Sequence, residues 1–275
     1  MRLLLPVLVS LSLATTQAAA RSPGCAKAAA PPPSTRFVVA GTQREAIVVL
    51  PSPYRRDRPY PLVIAFHGRT NTNVQARDYF GLEATASPPA IHVYPAGLRD
   101  ASGRFTWSDP GDPPGALRDF ALFDTLVSDL AERYCVDLDA VFVVGHSLGA
   151  SFANSLACAR GGQVRAVGSV AGSIDGTTCT GRAAALLLHN PADRAVPLDE
   201  GLRARDALLG DAEAVPQPSA RQLGAFACEV YPAASGPVLW CPYHDSLTRT
   251  GRYYPHQWPA GAGPAIIRFF HGLAD

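Results

Sequence analysis

Val141-Phe-Val-Val-Gly-His-Ser147-Leu-Gly-Ala150 decides the fold of this chain. Four apolar, strand-forming residues run into Gly145-His146-Ser147-Leu148-Gly149. The following Ala-Ser-Phe-Ala-Asn-Ser-Leu-Ala reads as a helix. Strand, G-x-S-x-G, helix is the context of a nucleophile elbow, a sharp turn that holds a serine at the carboxyl end of a buried strand. Such a turn leaves room only for glycine two residues before and two after the serine. Ser147 would then sit over a helix start whose N–H groups can stabilise an oxyanion. The bland alternative is an ordinary Gly-Ser strand-to-helix turn.

Outward from the elbow, apolar runs alternate with helical patterns. Residues 45–50, 62–66, 91–94, 141–144, 164–170, 184–189 and 238–240 read as strands. Between them, Leu117, Phe120, Ala121, Phe123, Leu126, Val127 and Leu130 recur at helical spacing within 116–134, and residues 265–273 read as a closing helix. Alternating strands and helices joined by short loops predict an α/β domain with a mostly parallel sheet covered on both faces. The predicted layout is a signal peptide over 1–20, an Ala- and Pro-rich surface arm over 21–36, and one catalytic domain over 37–275. The signal rests on Arg2, the apolar Leu3 to Leu13, and Ala18-Ala19-Ala20 as cleavage site. That apolar run is too short to span a bilayer.

Net charge is +1, and no basic cluster exceeds Arg55-Arg56, which argues against nucleic acid or a membrane surface as partner. The chain is expected to act as a monomer. Six cysteines in an exported chain form an even set without metal-site spacing, so three disulfides are expected and no metal. Fifteen connectivities are possible. Local plausibility favours Cys135 with Cys158, on either side of the elbow strand, and Cys228 with Cys241, on two strand-like runs. Cys25 would then pair with Cys179.

A serine hydroxyl needs a base, a carboxylate to orient the base, and donors for the developing oxyanion. The expected chain order is Ser, Asp or Glu, His. Asp193 follows the apolar strand ending at His189 and is preferred over Asp175 and Asp199. Position leaves two histidines open: His244 close behind a strand, and His256 on a longer loop that suits reaching back over the strand ends. His271 falls in the closing helix. Phe66-His67-Gly68-Arg69 reads as an oxyanion loop, with Gly68 permitting the turn that aims the Arg69 N–H, and Leu148 would supply the other N–H. His67, His146 and His189 read as structural. Trp107, Tyr79, Tyr94 and Trp258 fall on loops at the strand ends and could wall a pocket for a flat acyl group, or simply pack there.

Phe66-His-Gly-Arg, Tyr134-Cys-Val-Asp ahead of the elbow, Leu156-Ala-Cys158, His189-x-x-x-Asp193-x-x-Val-Pro197 and His256-x-Trp-Pro259 together resemble the secreted esterases that include feruloyl esterases and polyhydroxybutyrate depolymerases. The resemblance runs from about Cys25 to the C-terminus. It implies an α/β-hydrolase fold, a Ser147–His256–Asp193 triad, no cofactor, and the same cysteine pairing. It implies an ester substrate, hydroxycinnamoyl polysaccharide ahead of short polyester because no solid-binding module accompanies the domain. A non-catalytic exported binding protein is the remaining class, disfavoured because all three triad positions are filled. Two departures concern the histidine loop. Pro255 replaces the usual glycine, and Pro242 to Tyr254 reads as an insertion.

Overall fold

In the computed structural model, residues 20–27, 31–85, 88–108, 118–174, 179–181, 183–210, 217–248 and 250–274 are described. The predicted signal segment, the Asp175 alternative and the start of the 116–134 helix lie outside them in whole or part.

Strands β1 (Arg36–Val39), β2 (Thr42–Val49) and β3 (Tyr60–Phe66) precede helix α1 (Asn73–Phe80). Strand β4 (Ile91–Pro95) and the two-residue strands β5 (Leu98–Arg99) and β6 (Phe105–Thr106) follow. Next come α2 (Arg118–Arg133), β7 (Val136–His146), α3 (Leu148–Ala159), β8 (Ala166–Val170) and β9 (Ala184–His189). After these come α4 (Leu198–Leu209), β10 (Ser219–Leu223), β11 (Phe226–Tyr231), β12 (Val238–Pro242) and α5 (Ala262–Ala274).

One ten-stranded sheet runs in the order β1-β2-β4-β3-β7-β8-β9-β12-β11-β10, with β5 and β6 as a separate ribbon. From β4 to β12 every neighbouring pair is parallel, and antiparallel strands extend both edges. This is the α/β-hydrolase arrangement, in a single domain.

The two-residue period of the strands sorts the core. Leu62, Ile64 and Phe66 of β3 and Val141 and Val143 of β7 face a layer formed by α2, α3 and α4. Val63, Ala65, Phe142 and Val144 face the other layer, where α1 and α5 contribute Ala76, Phe80, Ala265, Ile266 and Phe270. With both faces covered, the central strands are apolar throughout, as parallel strands must be.

Two of the expected disulfides are corrected. Cys228 pairs with Cys241 as expected, but Cys25 pairs with Cys135 and Cys158 with Cys179. Helix α3 turns Phe152, Ala153, Leu156 and Ala157 to the sheet, and Cys158 points instead into a small cluster with Ile174 and Ala204. There the chain returns, Gly181 donating to the Cys158 carbonyl, and brings Cys179 alongside. Cys135 is left to the N-terminal arm. Ser22 N–H donates to the Val136 carbonyl and Ser22 Oγ to that of Tyr134, which lays Cys25 on Cys135. Their places on either side of the elbow strand made Cys135 and Cys158 plausible partners but left out the direction each side chain faces.

Candidate active site

The carboxyl ends of β3, β7, β8 and β9 lie side by side, and the candidate residues gather there. Ser147 sits between β7 and α3 at φ 56° and ψ −127°, a left-handed conformation that costs an L-residue roughly 1–3 kcal/mol. The surroundings enforce it. Ser147 N–H donates to the Val170 carbonyl at 2.9 Å, while its own carbonyl accepts from Ala150 and Ser151 N–H at 2.8 and 3.0 Å. A Cβ on Gly145 would run into the backbone of Gly149, and one on Gly149 into the Phe66 carbonyl. Both flanking glycines are therefore demanded by backbone contact.

Asp193 lies in the loop after β9. Its side chain is wholly buried; Oδ1 accepts from Ala195 and Val196 N–H at 2.8 and 3.1 Å, and Oδ2 faces His256 Nδ1 at 2.6 Å. Burial pushes this carboxyl up. The bond from His256, its charge, and the two backbone N–H groups outweigh burial, and the group lies below the usual carboxylate range. An ionised carboxylate only accepts, so Nδ1 of His256 carries the proton and Nε2 is free to accept. Nε2 lies 2.7 Å from Ser147 Oγ. Hydroxyl, imidazole and carboxylate thus form one chain of hydrogen bonds. Such an arrangement can deprotonate the hydroxyl and hold the resulting imidazolium.

The competing residues are elsewhere. Asp199 is an exposed residue of α4 paired with Arg203, His244 is exposed, and His271 lies in α5.

Two further histidines hold the frame. His189 is buried at the end of β9 and its Nε2 bonds the Val196 carbonyl at 3.0 Å, bracing the Asp193 loop. His146, inside the elbow, is also buried. Desolvation, aided by repulsion from His256, pushes its pKa down to about 3. The neutral ring spends both nitrogens: Nε2 donates to the His256 carbonyl at 3.2 Å, and Nδ1 accepts from the Tyr79 hydroxyl at 3.1 Å. Burial raises the Tyr79 pKa, which keeps that donor protonated. Periodicity gave no hint that Tyr79 and His146 brace the loop of His256.

Gly68, Arg69, Tyr79, Leu148, Tyr254 and Gln257 are among the residues lining a cleft of about 790 Å³ over Ser147 and His256. The first N–H groups of a helix lack intrahelical acceptors, and Leu148 occupies that position in α3. Gly68 has no positive φ, and a Cβ there would make only ordinary contacts, 3.4 Å from both the Ser147 Cβ and the His146 carbonyl oxygen. His67, wholly buried and held neutral by desolvation, bonds the Gly68 carbonyl through Nδ1 and accepts from Gly97 N–H through Nε2.

Of the four aromatic residues expected to wall the pocket, only Tyr79 lines it. Trp107 is buried on Phe152 with its indole N–H on the His67 carbonyl, so it supports the Arg69 loop from beneath. Trp258 stacks on Phe80 in the core, and Tyr94 is wholly buried on β4. The sequence placed these rings near the strand ends but could not say which face they took. Tyr254 and Gln257, not singled out in the sequence, line the cleft instead. Among the described residues, no three His, Cys, Asp or Glu side chains are grouped to hold a metal ion.

Residues 38–260 match the family described as "Putative esterase". The chain belongs to this esterase family. It is a carboxylic ester hydrolase. The esterase is 30% identical over 258 residues to feruloyl esterase C of Emericella nidulans, covering 88% of this chain and 90% of that one. Its fold is similar to that of acetyl xylan esterase from Aspergillus awamori, with TM-score 0.60 at 15% identity over 84% of this chain and 94% of that one. The Bacillus cereus carboxylesterase superposes with TM-score 0.56 at 13% identity, again over 84% and 94%.

Proposed function

We propose that this esterase cleaves its substrate through a covalent acyl-enzyme on Ser147. As the Ser147 oxygen attacks the ester carbonyl, its proton passes to His256 Nε2, and the carbonyl oxygen gains negative charge. The backbone N–H groups of Arg69 and Leu148 receive that charge, each worth about 3 kcal/mol of barrier. When the tetrahedral species collapses, the ester C–O bond breaks and the leaving oxygen takes the proton from His256. Water then attacks the acyl-serine, gives a proton to His256, and the carboxylic acid departs as Ser147 regains its hydrogen. Asp193 holds the imidazole in one tautomer throughout. The observation that carries this reading is the unbroken chain at 2.7 and 2.6 Å from Ser147 Oγ through His256 to Asp193.

The acyl group we assign is a hydroxycinnamate borne on plant cell-wall sugar. Support comes from the feruloyl esterase relative, whose identity extends over nearly its full length. We further propose that the chain is exported, works as a monomer, and needs no cofactor. Three disulfides fit an oxidising destination. Comparing methyl ferulate with 3-hydroxybutyrate oligomers tests the substrate assignment: faster turnover of the ferulate is expected, and activity on the oligomers alone would reverse it. Replacing Ser147 by Ala should reduce kcat by about a million-fold.

A further inference from the structure

Six large hydrophobic side chains stand exposed among the described residues, and three of them, Leu247 (62%), Tyr253 (49%) and Tyr254 (43%), fall within eight residues of chain beside His256. Val38, Val74 and Leu138 are scattered elsewhere. The concentration lies in the segment Pro242 to Tyr254, which read as an insertion.

That segment is a built hairpin. Leu247 and Tyr253 face each other across an antiparallel bridge. Thr248 N–H donates to the Arg252 carbonyl at 2.8 Å, Arg252 N–H to Thr248 Oγ1 at 3.1 Å, and Gly251 at φ 76° makes the return. Its base is anchored: Tyr254 N–H donates to the carbonyl of buried Ser246 at 2.7 Å, and buried Tyr243 donates to the Gln257 carbonyl at 2.9 Å. Asn190, at the head of the Asp193 loop, donates to both Ser246 Oγ and the Tyr253 hydroxyl at 3.3 Å. The hairpin is thus fixed to the loops that carry Asp193 and His256, yet Tyr253 and Tyr254 remain about half exposed.

Tyr254 lines the cleft, and its ring meets that of His256 edge to face with centroids 6.1 Å apart. This position has a mechanistic meaning. The proton that His256 Nε2 takes from Ser147 must go to the leaving oxygen, so the alcohol half of the ester has to lie over the imidazole. Beside that ring in the cleft stands Tyr254. An aromatic face carries negative charge and attracts the polarised C–H bonds on one face of a sugar ring, while the hydroxyls around the ring's rim stay in water. Aromatic side chains gathered and exposed at the edge of a cleft are candidates for ligand contact.

We infer that Tyr254, presented by the 247–253 hairpin, forms the subsite for the leaving alcohol and stacks on a sugar ring there. The inference rests on the acyl-enzyme reading above and adds the half of the substrate that the triad does not read. It makes the enzyme discriminate between esters sharing one acyl group but differing in their alcohol.

The test uses matched pairs: methyl ferulate against the ferulate ester of an arabinoside, and methyl acetate against the acetate ester of the same arabinoside. The readout is the ratio of kcat/KM, sugar ester over methyl ester, within each pair. The ratio should exceed one for the wild type and fall about fivefold in Tyr254→Ala, as expected for loss of an aromatic face contact worth ~1 kcal/mol. Tyr254→Trp and Tyr254→Phe should keep it. An unchanged ratio in folded Tyr254→Ala, or a loss as large in Tyr254→Phe, would overturn the inference. Failure of the wild type on both ferulates would instead defeat the hydroxycinnamate assignment, leaving the acetate pair to test the subsite. If Tyr254→Ala does not fold, competitive inhibition of wild-type methyl-ester hydrolysis by the free arabinoside decides: inhibition supports the subsite, and its absence at high sugar concentration refutes it.

Discussion

Replacing Asp193 by Asn tests the charge logic of the site, because the two side chains are nearly isosteric. Oδ1 of Asp193 accepts from both Ala195 and Val196 N–H, so the amide oxygen of the substituted side chain must take that position, the only one that satisfies two buried donors. The amide nitrogen is then turned to His256 Nδ1, where the carboxylate stood 2.6 Å away. Two donors cannot share that contact. Nδ1 must give up its proton and accept, which moves the hydrogen to Nε2, facing Ser147 Oγ across 2.7 Å. The base then presents N–H where it should present a lone pair, and the imidazolium loses its counter-charge. A wrong tautomer of this kind costs about 10⁴ in kcat, near 5.5 kcal/mol of barrier. The assay is initial-rate hydrolysis of a chromogenic acetate at pH 7.5, beside a denaturant titration to establish that the variant is folded. A folded Asp193→Asn enzyme within about tenfold of wild type would refute the assignment of tautomer and roles.

Other expectations follow from the same contacts. Tyr79→Phe leaves His146 Nδ1 buried without its donor, a loss of about 1–3 kcal/mol in unfolding free energy, with kcat reduced about tenfold as the His256 loop loosens. Stability that stays within experimental error of wild type would show that Tyr79 does not brace the loop. His146 and His92 are both buried, with pKa values lowered chiefly by desolvation to about 3 and about 4. The unfolded chain therefore binds more protons than the folded one below about pH 6.5, and stability falls with pH across the window down to about 4. Each histidine should remove roughly 2 kcal/mol between pH 7 and pH 5, and a denaturant titration of His92→Gln at both values should show a smaller drop than wild type. Removing the Cys158–Cys179 bridge by a double serine substitution should cost about 3 kcal/mol for its 21-residue separation, and mass mapping of unreduced peptides should recover Cys25–Cys135 and Cys158–Cys179. Gly149→Ala should cost at least about 2 kcal/mol in a denaturant titration, since its Cβ meets the Phe66 carbonyl.

The central strands, the elbow and the loop after β9 were legible because their signals are local. Apolar runs such as Ala184 to His189 end where the strand ends, and G-x-S-x-G dictates its own turn. Helix α1 carried a legible start as well: Thr72-Asn-Val-Gln75 forms a capping box, and Gly81 ends the helix in the left-handed conformation. The weak amphipathicity of Asn73–Phe80 hid it. Facing directions were not legible. Cys158 lies on the helix and Trp107 on the loop expected of them, but a rotation about the helix axis or a loop's turn inward sends each to a different partner. His146 was read correctly as structural, but its partners were not legible. Its partners, Tyr79 and the His256 carbonyl, come from segments 67 residues before and 110 residues after it, and only the closed sheet brings them together.

Ser147 as the covalent nucleophile is the claim on which the mechanism stands, and intact-mass analysis after treatment with an ester-mimicking phosphonate measures it most directly. A single adduct that maps to Ser147 and disappears in Ser147→Ala, together with the loss of ester hydrolysis, is the predicted result. An adduct on another residue, or ester turnover that persists undiminished in Ser147→Ala, would contradict it.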